Sequence, residues 1–452
     1  MISKLLLSAA LACAVAGPAQ AQFTLPGGPA AEGAPLPPPQ RLTYSYAYGA
    51  EAPLTYRHNR DLDSRLSDDS LVFKAKVFGS IAYRPADWLT LLVEGKLGRE
   101  TPIHEQAAVT LPSGDLAFAP HRKPTLLVEQ ALISARQAPW EFNLGRRNYE
   151  DERHWLYDGS IDVASLTYRH ENWRAEAMIG RDVLWSLDAL QKAKKHPIEI
   201  AMLNADYRGF DGHTLGAYAI KRNDLAGHEG KPIYLGLKAH GKPTAAFSYW
   251  AEAVLLRGAD ENGARFKAHA LDMGGTYRFA ELPFDPNVTL AFANGSGDNN
   301  AADKRNTEFR QTGLQTNEAR YIGLSKFKAY GEMLDSDLSN LRVFTVGIGA
   351  RATPGISVDL IYHRYQLNAI ASEIRNWGFT AQMNTVPGLQ SRDLGQELDL
   401  VIGFRGLFDI RRFGLDLRVG KFFPGKAFRT SDGGSGFRRA DNALTMVAKF
   451  RY

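Results

Sequence analysis

Basic side chains recur at alternate positions along this chain, and cations at that spacing can capture and steer an anion. Lys74 and Lys76 stand two apart, as do Lys449 and Arg451. Side chains of an extended strand alternate faces, so each such pair projects from one side. Lys96, Arg147, Arg278, Arg405 and Arg418 fall on the corresponding face of other alternating runs, where carboxylates such as Glu94, Asp272, Asp359 and Asp399 join them. Cations outnumber carboxylates on that inferred face. For a single residue, the plain reading is an ion pair bracing a wall. For the set, an excess of positive charge in a confined space raises the local concentration of anions. Arginine adds a fork that bonds carboxylates through two charge-assisted hydrogen bonds. The chemistry expected is the passage of an anionic solute.

Other constellations carry less. Glu150-Asp-Glu-Arg-His154 sets carboxylates beside a histidine, but no second ligand set is visible, so a solvated loop is the expectation. Ser296-Gly-Asp-Asn-Asn300 lacks EF-hand spacing and reads as turn chemistry. No G-x-S-x-G or Walker string occurs. No catalytic residue, metal or cofactor is expected.

The elements that would hold the basic row are strands. At the C-terminal end, Leu444, Met446, Ala448, Phe450 and Tyr452 share one face, while Thr445, Lys449 and Arg451 share the other. Similar alternation marks 71–83, 88–98, 140–147, 173–182, 233–240, 247–255, 344–351, 356–362, 398–404 and 413–419, with further segments between them. Tight links such as 84–87, 137–139, 170–172 and 352–354 alternate with long polar stretches at 49–70, 99–124, 296–341 and 366–394. Short turns on one side and long loops on the other are the rule for outer-membrane barrels. The pattern predicts an all-β transmembrane barrel of about eighteen antiparallel strands, an even count that puts both chain ends in the periplasm. A soluble sandwich or propeller is the runner-up, and it leaves the aromatic strand ends unexplained. The two-residue rhythm fixes the facing: a slip of one would put Lys74 and Lys76 into lipid, at roughly 2–4 kcal/mol each near the midplane.

Composition agrees. Charged residues make up 23% of the 452, and no run of eighteen apolar residues exists, so helical membrane spans are excluded. The net charge of +5 comes without a basic cluster, which argues against a nucleic-acid partner. Lys4, an apolar stretch at 5–15 and Ala19-Gln-Ala21 predict a secretory signal peptide over 1–21, with Cys13 inside it and a cysteine-free mature chain. Residues 22–40 are a Pro/Gly-rich periplasmic leader, and 41–452 are the barrel. The expected location is the bacterial outer membrane, with its lipid as one partner.

Several strings resemble the alginate export family of outer-membrane porins. They are Phe309-Arg-Gln-Thr-Gly-Leu-Gln-Thr-Asn317, Leu338-Ser-Asn-Leu341, Asp393-Leu-Gly-Gln-Glu-Leu-Asp-Leu-Val401, Leu144-Gly-Arg-Arg147 with Asp151-Glu-Arg and Asp158, and Leu417-Arg-Val-Gly-Lys-Phe-Phe-Pro-Gly425. The resemblance runs from about Phe73 to Tyr452. It implies an eighteen-stranded barrel that passes polyanionic alginate through an arginine-lined constriction, with a periplasmic secretion partner in prospect. It also implies pore-lining roles for Arg146, Arg147 and Arg418, an acidic position at Asp158, and basic loop positions at Lys326 and Lys328. Departures are Asn148 and Val128 where the pattern carries arginines, and a short link at 406–412 where the alginate exporter has a plug-like loop. The expected solute is an anionic polysaccharide or oligosaccharide. Readings from other classes are a barrel enzyme of the lipase or protease type and a receptor or adhesin acting through its loops.

Overall fold

The computed structural model describes residues 43–452, apart from short segments at 66–67, 105–108, 111–115, 118–122, 182–187, 191–197, 228, 301, 376–377 and 433–435. The expected signal peptide and leader lie outside the described residues. Eighteen antiparallel strands form one closed sheet. They are β1 (Thr43–His58), β2 (Ser70–Ala86), β3 (Leu89–His104), β4 (Thr125–Gln137), β5 (Trp140–Glu150), β6 (Asp158–His170), β7 (Trp173–Arg181), β8 (Ile198–Tyr207) and β9 (His213–Asp224). The wall continues with β10 (Lys231–Gly241), β11 (Phe247–Ala259), β12 (Ala268–Arg278), β13 (Asn287–Gly295), β14 (Leu341–Thr353), β15 (Ile356–Leu367), β16 (Asp393–Arg405), β17 (Gly414–Pro424) and β18 (Ala443–Arg451). Each strand pairs with its sequence neighbours, and β1 pairs with β18 from Glu51↔Arg451 to His58↔Leu444. Closure gives each strand a neighbour on both sides, the condition for crossing hydrocarbon, where a bare backbone group costs several kcal/mol; the ladder from β1 to β18 begins at Glu51, and the stretch of β1 before it is laddered to β2.

Alternation assigns the two faces. Val77, Ile81, Val93, Leu97, Ile179, Leu203, Leu237 and Leu290 are exposed and form the belt that lipid covers. Aromatic rings collect at the short-turn end: Tyr44 stacks on Tyr83, Trp140 lies against Tyr168, and Trp173 against Tyr207, each with centroids 4.7 Å apart. Rings with an apolar body and a polar edge suit that interface.

Two expected loops begin later than the sequence indicated. β1 runs through 49–58 because β2 and β18 flank it with ladders on both sides. β3 likewise continues past Arg99 to His104 against β2. In both cases a neighbouring strand supplies hydrogen bonds that local polarity does not advertise.

The long loop 296–340 does not stand outside the barrel. Phe309, Phe327, Met333, Leu334 and Leu338 are buried within it, and its backbone reaches residues near the short-turn ends of β14–β17.

Candidate functional site

The inner wall sorts into a covered and an open sector, and the long loop makes the division. Its deepest part, around 322–325, is held from four strands. The Arg351 guanidinium donates to the Ile322 carbonyl at 2.9 Å, and Arg405 donates to the Leu324 carbonyl at 2.6 Å. Leu324 N–H donates to Ser357 at 2.8 Å, and the Ser325 hydroxyl bonds Asp416. Higher up, the Glu397 carboxylate accepts the Met333 and Leu334 N–H groups at 2.5 and 3.1 Å, and Asp399 accepts Glu332 N–H at 3.2 Å. Gly331 permits this approach: it has φ 102°, and a Cβ there would meet the Tyr365 hydroxyl at 2.2 Å. Under the loop, His363, Glu397 and Asp399 are 0% exposed.

The string Phe309–Asn317 is the upper anchor. The Gln311 side chain accepts Leu338 N–H at 2.7 Å and exchanges hydrogen bonds with Asn317 at 2.8 and 3.1 Å. The Phe309 ring lies 6.4 Å from both Trp155 and Tyr234. The strings 309–317, 338–341 and 393–401, and Arg418 of the string 417–425, therefore build the loop and its seat.

Away from the loop, cations on the inner faces of β18, β1–β3 and β5 stay partly open, while Asn143, Ser165, Thr167 and Glu176 on β5–β7 are buried. Lys74 and Lys96 side chains are 39% and 28% exposed. Lys74 pairs with Glu100, Lys96 with Glu129 at 3.2 Å, and Lys449 with Glu51 at 2.9 Å. Arg147 meets Glu176 at 3.2 Å and lies over the Tyr149 ring. Lys76 sits opposite Glu51 in the ladder and, among the described residues, has no carboxylate oxygen within 4.0 Å. The cations of this sector thus form ion pairs along a ladder, with Lys76 in excess.

The other expected site residues fall elsewhere. Arg278 pairs with Asp285 at 2.5 Å in the turn after β12, at the short-turn mouth of the barrel. Arg405 bonds Asp416 at 2.8 Å beside the loop tip. Arg418 bonds Glu332 at 3.0 Å, and Lys328 bonds Asp335 at 2.8 Å and the Thr316 carbonyl at 3.1 Å, so both hold the loop. Arg146 is fully buried in the wall. Its guanidinium takes Asp162 with both arms at 2.8 and 2.9 Å and reaches the Val128 carbonyl at 3.2 Å, where the β4–β5 ladder stops. Asp188 of the outer loop patches the same seam by accepting Leu126 N–H at 3.0 Å. Gly145 precedes the pair for a steric reason: a Cβ there would lie 2.2 Å from the Ala131 carbonyl oxygen.

Asp158 joins His154 at 2.8 Å and accepts the Thr316 hydroxyl at 2.5 Å. Glu150, His154 and Asp158 bring ligand atoms within 4.8 Å of one another, closer than the sequence indicated. The Lys326 ammonium lies 2.9 Å from His154 Nε2, so this cluster already meets a cation of the chain itself. The bond to Asp158 raises the His154 pKa above its usual value, against burial and the Lys326 charge.

Glu397 as a loop acceptor and the Arg153–Trp250–Tyr321 stack were not singled out from sequence, whereas Arg351 was expected among the inward-facing cations. Arg153 lies 4.1 Å over Trp250, which donates to Asp272 at 2.7 Å and stacks on Tyr321. Glu397 and Asp399 stand two apart in Gly-Gln-Glu-Leu-Asp, a period that places both on one face.

A family model described as alginate export matches residues 40–440. The alginate production protein AlgE of Azotobacter vinelandii is 28% identical over 198 residues, a match covering 40% of this chain and 39% of that protein. Among solved structures, OccK9 (OpdG) of Pseudomonas aeruginosa aligns with a TM-score of 0.58 at 11% identity, covering 90% of this chain and 97% of that one. The outer membrane protein opdK of the same organism gives 0.54 at 12%, over 91% and 98%, and OccAB4 of Acinetobacter baumannii gives 0.54 at 10%, over 92% and 98%. At these identities the likeness is one of fold.

Proposed function

The chain belongs to the alginate export family, and on that footing we propose a passive outer-membrane channel for an anionic polysaccharide or oligosaccharide, moving solute down its gradient without a cofactor. The observation that carries the reading is the split of the inner wall: a buried sector beneath the loop 296–340, and a sector where Lys74, Lys76, Lys96, Lys449 and Arg147 remain partly exposed.

A polymer with one carboxylate per sugar can pass along that sector by exchanging partners. Apart from Lys76, each of these cations is already bonded to a carboxylate of the wall, and an incoming carboxylate replaces it in kind. Partner exchange keeps binding weak at any one site, which conduction requires. Lys76, the cation in excess, biases the lane toward anions. Arg405, Arg351 and Arg418 act one step back: they fix the loop that narrows the bore. Arg146 keeps the wall closed at the β4–β5 seam. Export direction follows the family, and a periplasmic partner would deliver the polymer to the mouth near Arg278.

Reconstitution in a planar bilayer with a salt gradient tests this. The wild-type barrel is expected to give a reversal potential on the anion side. Lys76→Glu with Lys449→Glu should move it toward cations. Cation preference in the wild type, or no shift in the double variant, contradicts the reading.

A further inference from the structure

On the hydrocarbon-facing surface, outside the lumen, a groove of about 450 Å³ crosses β5–β10. Strand register explains its shape. In one row Ala164 faces Ile179, Ile179 faces Ala201, and Ala201 faces Lys221. In the next row toward the turns, Leu166 faces Ala177, Ala177 faces Leu203, and Leu203 faces Ala219. Small and large residues alternate in both rows, in opposite phase. The alanines therefore join diagonally into a floor, with leucines along one bank and Ile179 and Lys221 along the other.

The groove begins beside Phe142, near the periplasmic start of β5, and climbs to Lys221, near the outer end of β9. Barrel strands tilt by roughly 35–45°, so a path across them rises through the membrane. Lys221 is exposed on this lipid face, and among the described residues no carboxylate oxygen lies within 4.0 Å of it. Glu199, on the adjoining strand, is taken by Arg181 at 2.8 Å and Asn223 at 3.1 Å. A lysine beside hydrocarbon is costly unless its head reaches the interface and meets an anion there.

The geometry points to a bound phosphorylated lipid of the outer leaflet. One acyl chain lies on the alanine floor, and the Lys221 ammonium bonds its phosphate. The alanine floor and leucine bank disfavour water as the occupant, and the upper position of the cation sets the lipid's orientation.

The test uses the full-length barrel in detergent, stripped of lipid and titrated with diphosphorylated lipid A, the same lipid without its phosphates, and phosphatidylethanolamine. Adducts are read by native mass spectrometry, and heat-modifiable gel mobility verifies each variant's fold. Lipid A should saturate one site. The dephosphorylated form should bind about tenfold more weakly, the scale of one lost charge-assisted contact. Ala177→Leu with Ala201→Leu fills the floor and should abolish the saturable site. Lys221→Glu should erase the preference for phosphate, and Lys221→Arg should keep it. Equal binding of all three lipids, or a saturable site that survives the filled floor, overturns the proposal. So does a protein dimer that the filled floor disperses, since the groove would then seat a second copy.

Discussion

Adjacent cations in one string do different work. Successive side chains leave a strand on opposite faces, so Arg146 and Arg147 cannot both line the bore from a regular ladder. Arg147 keeps the partly open lumen beside Glu176, while Arg146 is sealed against Asp162. Removing Arg146 leaves a buried carboxylate at an interrupted ladder. Arg146→Ala is expected to cost about 3–5 kcal/mol of barrel stability, the scale of a broken buried pair. A lower unfolding temperature in the gel-shift assay would record the loss. Arg147→Ala should lower that temperature far less, because the buried Glu176 keeps Arg174 at 2.9 Å and the Tyr149 hydroxyl at 2.9 Å. His154 offers a pH test. Its folded pKa is raised above 6.5 by the bond to Asp158. The associated stabilisation is therefore complete below 6.5 and is lost as pH rises through the raised value. The His154 carbonyl accepts both Thr316 and Asn317 N–H groups, so limited proteolysis near 316 should accelerate as pH rises through that window. Asp158→Asn should flatten the response. At this scale the sequence showed which residues carry charge and which face each takes. It did not show the pairing, because partners such as Lys326 and His154 are 172 positions apart.

Among the elements, the strands were legible and the long loop was not. Alternation in β2, β3, β14–β16 and β18 follows directly from hydrophobicity of period two. The ends of β1 and β3 ran past their expected limits because cross-strand ladders, not local pattern, hold them. The loop 296–340 reads as a polar connection, yet Phe309, Phe327, Met333 and Leu338 give it a core of its own inside the barrel. Its apolar residues lack a regular period, so no strand or helix pattern advertised the fold-back. The anchors make a clear prediction. Glu397→Gln leaves a buried loop N–H short of an acceptor, a penalty of about 1–3 kcal/mol. Open-channel current noise and cleavage near 333 should both rise. Replacing 300–336 with a short Gly/Ser linker removes the obstruction but spares the β13–β14 ladder from Asn287↔Gly349 to Asn294↔Arg342. Single-channel conductance should then increase several-fold, with the barrel still heat-modifiable.

As a whole, the molecule is a sealed cylinder narrowed from its outer side. The turn between β16 and β17 is short, so the short-turn end contributes no long plug there, and the loop 296–340 enters the bore instead. Lipid-facing leucines, the aromatic girdle and the closed ladder fix the barrel in the membrane. The loop fixes which sector stays open, and the proposed anion preference rests on the cations of that sector. Direct measurement of transport reaches the central claim most closely. Liposomes bearing the barrel would be loaded with uronic-acid oligomers and with neutral glucose oligomers of equal length. The account predicts rapid efflux of the uronates, slow efflux of the neutral sugars, and loss of that difference in the Lys76→Glu, Lys449→Glu barrel. Equal efflux of the two sugars from wild-type vesicles, or faster efflux of the neutral one, would contradict it.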